Sequence, residues 1–369
     1  MTMQVEFVSL ELKDFLQFQG HQRLAFAPPT EDDQSGLTLV TGDGGSGKTS
    51  LVRALKLALW GAEEACAPYP AVLACGRGGG VLSEPGWFIN ASALGPGVGV
   101  PSATVRLTMR VAGSSGEPAT VLVTRSLRVV RGGSLAEHLR VESMKAGRTK
   151  RLDGEEAQRL ISGLVSAVRL PLVFAGEEDF ESLGRVAWPM PDPWHQMDGR
   201  LEARFRGCTP EQWRSVGPTV IRLANLLLQP EREGEGLLVL PEHVGKRWSG
   251  SYELVPGVWL NRMPRPGTEL TCVGVALAVG LCLASRRRVP LVLDAPAMRM
   301  PPTLAAVFFE TLARAPLSQV TVVTHECQVD ELALSLWGRA HHFYLMPDRR
   351  DASSSLLSET SSIVDSSAR

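Results

Sequence analysis

Apolar and polar positions alternate along residues 4–27 (QVEFVSLELKDFLQFQGHQRLAFA), which predicts two antiparallel strands about a turn at Gln19-Gly20. Residues 28–36 are rich in Pro, Asp and Gly and read as a loop. The short β-rich run Leu37–Thr41 precedes a glycine segment and then TSLVRALKLALW, whose apolar residues fill one helical face until Gly61 stops it. The order is strand, loop, helix. After a Gly- and Pro-rich stretch over 62–102, Ala103–Val111 and Thr120–Val130 alternate as a second hairpin, and a helix is expected from Gly154 to Val168.

Leu170–Phe174 (LPLVF) reads as a buried strand leading into AGEEDF. Residues 185–265 hold Trp- and Pro-containing patches but no sustained heptads, so they predict a compact insertion and exclude a long coiled coil. From Glu269 an apolar helix runs to Ala284. A basic turn at Arg286–Arg288, the strand VPLVLD, a helix over Pro302–Ala313 and a strand over Val320–Thr324 follow, the alternation of a parallel α/β sheet. The serine-rich stretch Asp351–Arg369 reads as a disordered tail.

With 369 residues, 44% of them hydrophobic and 21% charged, the chain can bury a large core, and fibrous or wholly disordered classes are excluded. A net charge of −1 removes any polycation argument for nucleic acid, so a DNA partner has to be argued from motifs. The six cysteines form no C-x-x-C pair, which points away from zinc and disulfides and toward a reducing cytoplasm. No basic stretch with an apolar run opens the chain. The longest uncharged apolar run, Leu270–Ala284, falls short of the roughly 18–20 residues that span a bilayer, so no membrane is expected.

Gly42-Asp43-Gly44-Gly45-Ser46-Gly47-Lys48-Thr49 matches G-x-x-x-x-G-K-[ST] in full, between a predicted strand and a predicted helix. Glycines let the backbone curl so that successive N–H groups face a phosphate, and the helix N-terminus adds partial positive charge. Residues Gly42 to Ser50 are therefore the candidate ATP contacts, with Lys48 directed at the β- and γ-phosphates and Thr49 at Mg²⁺. A strand ending in an acid, Val289–Asp294, supplies a second candidate Mg²⁺ residue, Asp294. It lies 246 residues after Lys48, too far for a compact nucleotide kinase or small GTPase, and this suggests an ATPase core split by an insertion. At the end of VTVVT, His325 follows Asp294 by 31 residues and is a candidate γ-phosphate sensor.

Strand pair, phosphate loop, a late strand ending in Asp-x-Pro, then Thr324-His325: this order resembles the ABC-type ATPase heads of the SMC, RecF and DndD group, with the nearest likeness to DndD. LELKDFLQFQGHQRLAF, Phe88-Ile89-Asn90, Thr124-Arg125 and Phe174-Ala175-Gly176-Glu177 resemble that group's opening, lobe and Q-loop segments. The resemblance implies a P-loop NTPase of ABC-head type, an α/β fold with a mixed sheet and an added antiparallel β lobe. It implies an N-terminal ATPase lobe over 1–184, an insertion over 185–265 in place of coiled-coil arms, a C-terminal lobe over 266–350 and a tail over 351–369. It further implies cytoplasmic action on DNA in repair, restriction or antiviral defence, as a homodimer or with operon-encoded partners.

Three positions depart from the group. Arg265-Pro266-Gly267-Thr268-Glu269 stands at the signature stretch with Pro266 for serine, Ala295 stands where a catalytic Glu usually follows the Walker B Asp, and Met298-Arg299-Met300-Pro301 lacks the D-loop acid. ATP binding is therefore expected more firmly than fast hydrolysis, with Glu177 the alternative base beside His325. Two other classes compete: an ATP-locked regulatory subunit, and a small-molecule phosphotransferase. Arg125–Arg131 and Lys145–Arg151 are the stretches expected to reach DNA if it is bound.

Overall fold

The computed structural model describes residues 3–29, 36–62, 65, 88–95, 99–113, 117–131, 134–165, 174–175, 209–228, 238–239, 252–255, 257–261, 268–284, 287–296, 302–313, 317–326, 329, 340–347 and 355–360. Strand β1 (Met3–Phe15) ends before the turn its alternation predicts, and it slips phase twice along its length. Val5 and Phe7 point inward, a register shift between Phe7 and Ser9 turns Leu10 and Leu12 inward, and a second shift between Lys13 and Phe15 restores the odd positions. Strand β2 (Phe18–Ala25) begins before the expected turn, because Phe15 and Phe18 pair and both bury. The bend lies at Leu16-Gln17, with Asp14 and Leu16 at φ 49° and the Asp14 carboxylate accepting from the Gly20 N–H at 2.8 Å.

Strand β3 (Gly36–Gly42) leads through the phosphate loop into α1 (Lys48–Trp60). The second hairpin forms as expected, β4 (Ser102–Ala112) with β5 (Ala119–Val129). It continues into β6 (Leu135–Lys145) and β7 (Arg148–Asp153), a polar edge hairpin the pattern of apolar residues does not announce. Helix α2 (Gly154–Leu164) follows, then β8 (Phe174–Ala175), α3 (Pro210–Leu228), β9 (Leu238–Val239), β10 (Tyr252–Val255), β11 (Val258–Leu260) and α4 (Thr268–Ala284). Of the expected basic turn, Arg287-Arg288 is a short strand, β12, that pairs in parallel with Met3 and Gln4. The chain closes through β13 (Leu291–Asp294), α5 (Pro302–Ala313), β14 (Gln319–His325), β15 (His341–Pro347) and β16 (Ser355–Thr360).

The expected tail thus contains a strand. β16 pairs antiparallel with β15 and touches β2 at Phe18, so neighbouring backbone donors and acceptors order a segment whose composition alone favours solvent. The sheet runs β7-β6-β5-β4-β1-β2-β16-β15-β3-β14-β13-β8 with β12 beside β1, an antiparallel lobe merging into the parallel block β15-β3-β14-β13-β8. β9, β10 and β11 form a separate three-stranded sheet.

Strands β3, β13 and β14 are buried on both faces along nearly their whole length, which is why their sequences read as near-continuous apolar runs. Val40, Val292 and Val323 face α1 and the lobe, whereas Leu37, Leu39, Leu291, Leu293, Val320 and Val322 face α3, α4 and α5. Helix α3 lies inside the stretch expected as an insertion, yet Trp213, Val220, Leu223 and Ala224 belong to this second core. Gly280 of α4 makes the approach possible, since a Cβ there would come within 2.3 Å of Val220 Cγ2.

Candidate nucleotide site

Gly45 and Gly47 take φ values of 77° and 96°, a left-handed backbone that side chains disfavour and that curls residues 42–47 around their own N–H groups. Gly42 is required for a different reason: a Cβ would lie 2.5 Å from Ser46 Oγ and 2.7 Å from the Leu345 carbonyl. Asp43, Gly44, Gly45 and Thr49 are exposed, while Ser46, Gly47 and Ser50 are buried. The Ser50 hydroxyl donates to Gln17 Oε1 in the β1–β2 bend. Lys48 is only 8% exposed, and its ammonium donates to the carbonyls of Gly42 (2.8 Å) and Asp43 and lies 3.5 Å from Ser46 Oγ. Its charge is held at the centre of the loop.

The parallel register gathers the other candidates at the same end of the sheet. His325 pairs with Gly42 across β14 and β3, and Asp294 pairs with Val323 across β13 and β14. A Cβ on Gly44 would lie 4.0 Å from His325 Cε1. Burial, then the Lys48 charge, lower the His325 pKa from its ordinary 6.5, with Asp43 opposing, so the imidazole is held toward its neutral form. Ala295, next after Asp294, has φ 50° and donates its N–H to the Val323 carbonyl at 2.7 Å. Phe174 and Ala175 pair beside Val292 and Leu293, which puts β8 on the far side of β13. Glu177, Pro266, Gly267 and Met298–Pro301 lie outside the described residues. A Thr49 hydroxyl and an Asp294 carboxylate are oxygen donors of the kind Mg²⁺ takes.

Sequence reading missed two contacts around this site and the placement of Arg125. Thr41 Oγ1 and His342 Nε2 share a hydrogen bond of 2.8 Å, and burial lowers the His342 pKa. The Tyr344 hydroxyl donates to Glu326 at 2.7 Å, and that bond raises the phenol to about 12. Arg125, expected among residues that reach DNA, is instead 4% exposed and faces α1. Its phase was legible, because it stands in the inward register of Val121, Val123 and Leu127. Arg128, Arg131, Lys145, Arg148, Lys150 and Arg151 are exposed.

A phosphate loop at the carboxyl end of a parallel sheet, an acid and a histidine on the next two strands, and a merged antiparallel lobe define the class: the chain has the P-loop α/β fold of SMC head domains. A sequence model of the AAA domain matches residues 9–129. The SMC head domain from Thermotoga maritima is similar with a TM-score of 0.51 at 16% identity, over 96% of this chain and 99% of that one. An Smc head bound to the C-terminal winged-helix domain of ScpA gives 0.55 at 15% identity, over 96% and 97% of the two chains. The Smc head with an extended coiled coil, bound to the C-terminal domain of ScpA from Pyrococcus furiosus, gives 0.54 at 13%, over 97% and 96%. No curated protein matches the sequence. Among the described residues, no helix is long and apolar enough to cross a membrane.

Proposed function

We propose that this protein is an ATP-binding, slowly hydrolysing ATPase head of SMC or DndD type that acts with partner proteins on DNA in the cytoplasm. The observation that carries the reading is the register that aligns Gly42 with His325 and sets Asp294 one strand further on. ATP phosphates would sit against the N–H groups of residues 43–49, with Lys48 exchanging its carbonyl partners for phosphate oxygens. Mg²⁺ would be held by Thr49 and Asp294 and would neutralise charge developing on the phosphates. His325, kept toward neutrality, is suited to donate one hydrogen bond to the γ-phosphate without competing with Lys48 for charge. Glu177 is the acid we assign to orienting water, since Ala295 carries no polar group.

The similarity to Smc heads bound to ScpA supports a role in a larger assembly, and the head class supports an ATP-dependent dimer in which the stretch from Pro266 to Glu269 faces the other protomer's loop. A role in repair, restriction or phage defence, with operon-encoded partners, follows from the DndD likeness. A second reading, an ATP-locked regulatory subunit, is favoured by Ala295 at the position next to Asp294. ATPase assays with and without DNA, on wild type and Lys48→Ala, separate the two, alongside light scattering with and without ATP. DNA-stimulated turnover that Lys48→Ala abolishes supports the ATPase; tight ATP binding with no turnover supports the lock; no ATP binding overturns both.

A further inference from the structure

The antiparallel lobe holds α1 at both ends. At its start, Ser50 donates to Gln17, which directly follows Leu16 in a bend where Asp14 and Leu16 both take left-handed conformations. At its end, where the last helical carbonyls have no partners within the helix, two side chains of the lobe, Arg125 of β5 and Glu137 of β6, converge with Gln158 of α2. Arg125 Nε donates to the Ala58 carbonyl at 3.1 Å, its Nη1 to Glu137 and its Nη2 to Gln158. Gln158 Nε2 donates to the Leu59 carbonyl at 3.0 Å, and Glu137 Oε2 accepts from the Ala62 N–H at 3.1 Å, just past the helix. Gly61, at φ 93°, gives Arg125 its room: a Cβ there would meet Glu137 and Arg125 at 3.3 and 3.4 Å. Every polar arm of the Arg125 fork is committed, and a cation stands at the negative end of the helix dipole.

We propose that Arg125 is a positioning residue for the phosphate loop: it fixes the C-terminal end of α1, and through that rigid helix it sets the orientation of residues 42–48 at the other end. A 13-residue helix is about 20 Å long, so a few degrees of tilt at Arg125 displaces the loop by about 1 Å. Displacement of that size is enough to spoil alignment on a phosphate. The same geometry makes the lobe a lever, because anything that shifts β5 and β6 acts on the loop through Arg125. This inference rests on the ATP-binding reading above.

Two variants of the full chain test it. Arg125→Lys keeps the charge but cannot reach Ala58, Glu137 and Gln158 together, and Gln158→Ala removes the bonds to Leu59 and to Arg125 Nη2 while sparing the Arg125–Glu137 pair. Affinity for a fluorescent ATP analogue is measured well below each variant's own melting temperature, with hydrogen exchange followed over residues 42–60. A merely structural role would lower the melting temperature and leave folded-state affinity and loop exchange unchanged. The expected result is an affinity loss of about fivefold or more for Arg125→Lys and about twofold or more for Gln158→Ala, with faster exchange reaching residues 42–48. Wild-type affinity and loop exchange in folded Arg125→Lys overturn the inference while leaving the ATP reading intact. If Arg125→Lys does not fold, Gln158→Ala decides by the same two readouts. A wild type that binds no analogue overturns the ATP reading, and this inference with it.

Discussion

His325 and Gly42 are register partners on adjacent parallel strands, although 283 positions separate them in the chain. That pairing brings the imidazole beside Gly44 and within the field of Lys48, and burial, with that charge second, lowers the pKa of His325. The site therefore depends on sheet register as much as on the glycine motif.

Gly42→Ala tests that dependence. Its Cβ would press on Ser46 Oγ and on the Leu345 carbonyl, one a loop group and the other backbone of β15. The variant is expected to lose about 1–3 kcal/mol of stability, the cost of overpacking, and to bind ATP more weakly because the strain falls on the loop. Urea unfolding together with ATP titration checks both.

Stability should depend on pH below neutrality through His325 and His342. Both have lowered pKa values in the fold, chiefly from burial, so the unfolded chain binds more protons as pH drops through 6.5. The sign follows: stability is complete above the unfolded value and is lost progressively as pH falls from there toward and past the folded values. Urea unfolding between about pH 5 and 8 should show that decline, made shallower in His342→Gln and His325→Gln. An unchanged slope in both variants would assign the decline to other groups.

Ala295 offers a test in which stability and turnover separate. A left-handed alanine costs roughly 1–2 kcal/mol, while glycine adds about 0.4–1 kcal/mol of unfolded-chain entropy. Ala295→Gly should therefore stabilise the protein by about 0.5–1 kcal/mol without raising turnover. Ala295→Glu places a carboxylate next to Asp294 and should raise the hydrolysis rate about tenfold or more if a water-orienting acid is what the site lacks. Steady-state phosphate release at saturating ATP measures it.

Turnover in the wild type is expected to be slow and limited by Glu177. Glu177→Gln should leave ATP affinity nearly unchanged and reduce the rate on the order of 10²-fold, trapping ATP. A single-turnover assay with filter-bound nucleotide distinguishes trapping from weak binding. Hydrolysis at the wild-type rate would transfer the role to His325 or to a partner.

The phosphate loop, the α1 pattern, the second hairpin and the late parallel strands were legible in the sequence because each rests on local chemistry: glycines at a phosphate curl, a 3.6-residue apolar period, alternation, and an apolar run ending in an acid. Phase slips hid where β1 ends and which of its residues face inward, since two register shifts reverse the facing. The β6–β7 hairpin and β16 were illegible for a related reason: each is placed by backbone pairing with a neighbouring strand, β6 with β5 and β16 with β15, which composition does not announce. Arg125 shows the limit most directly. Its sequence phase marks it as inward, but only the packing of β5 against α1 decides that an inward cation finds Ala58, Glu137 and Gln158 and becomes a helix cap, whereas Arg128, three residues on, stays in solvent. Local chemistry alone requires that a phosphate loop open a helix and that an apolar strand end in Asp294. Which strands lie side by side, and hence that Asp294 and His325 come to the same end of the sheet as Lys48, was decided by tertiary structure, because pairing between distant segments is set by the burial of both sheet faces and not by any local preference.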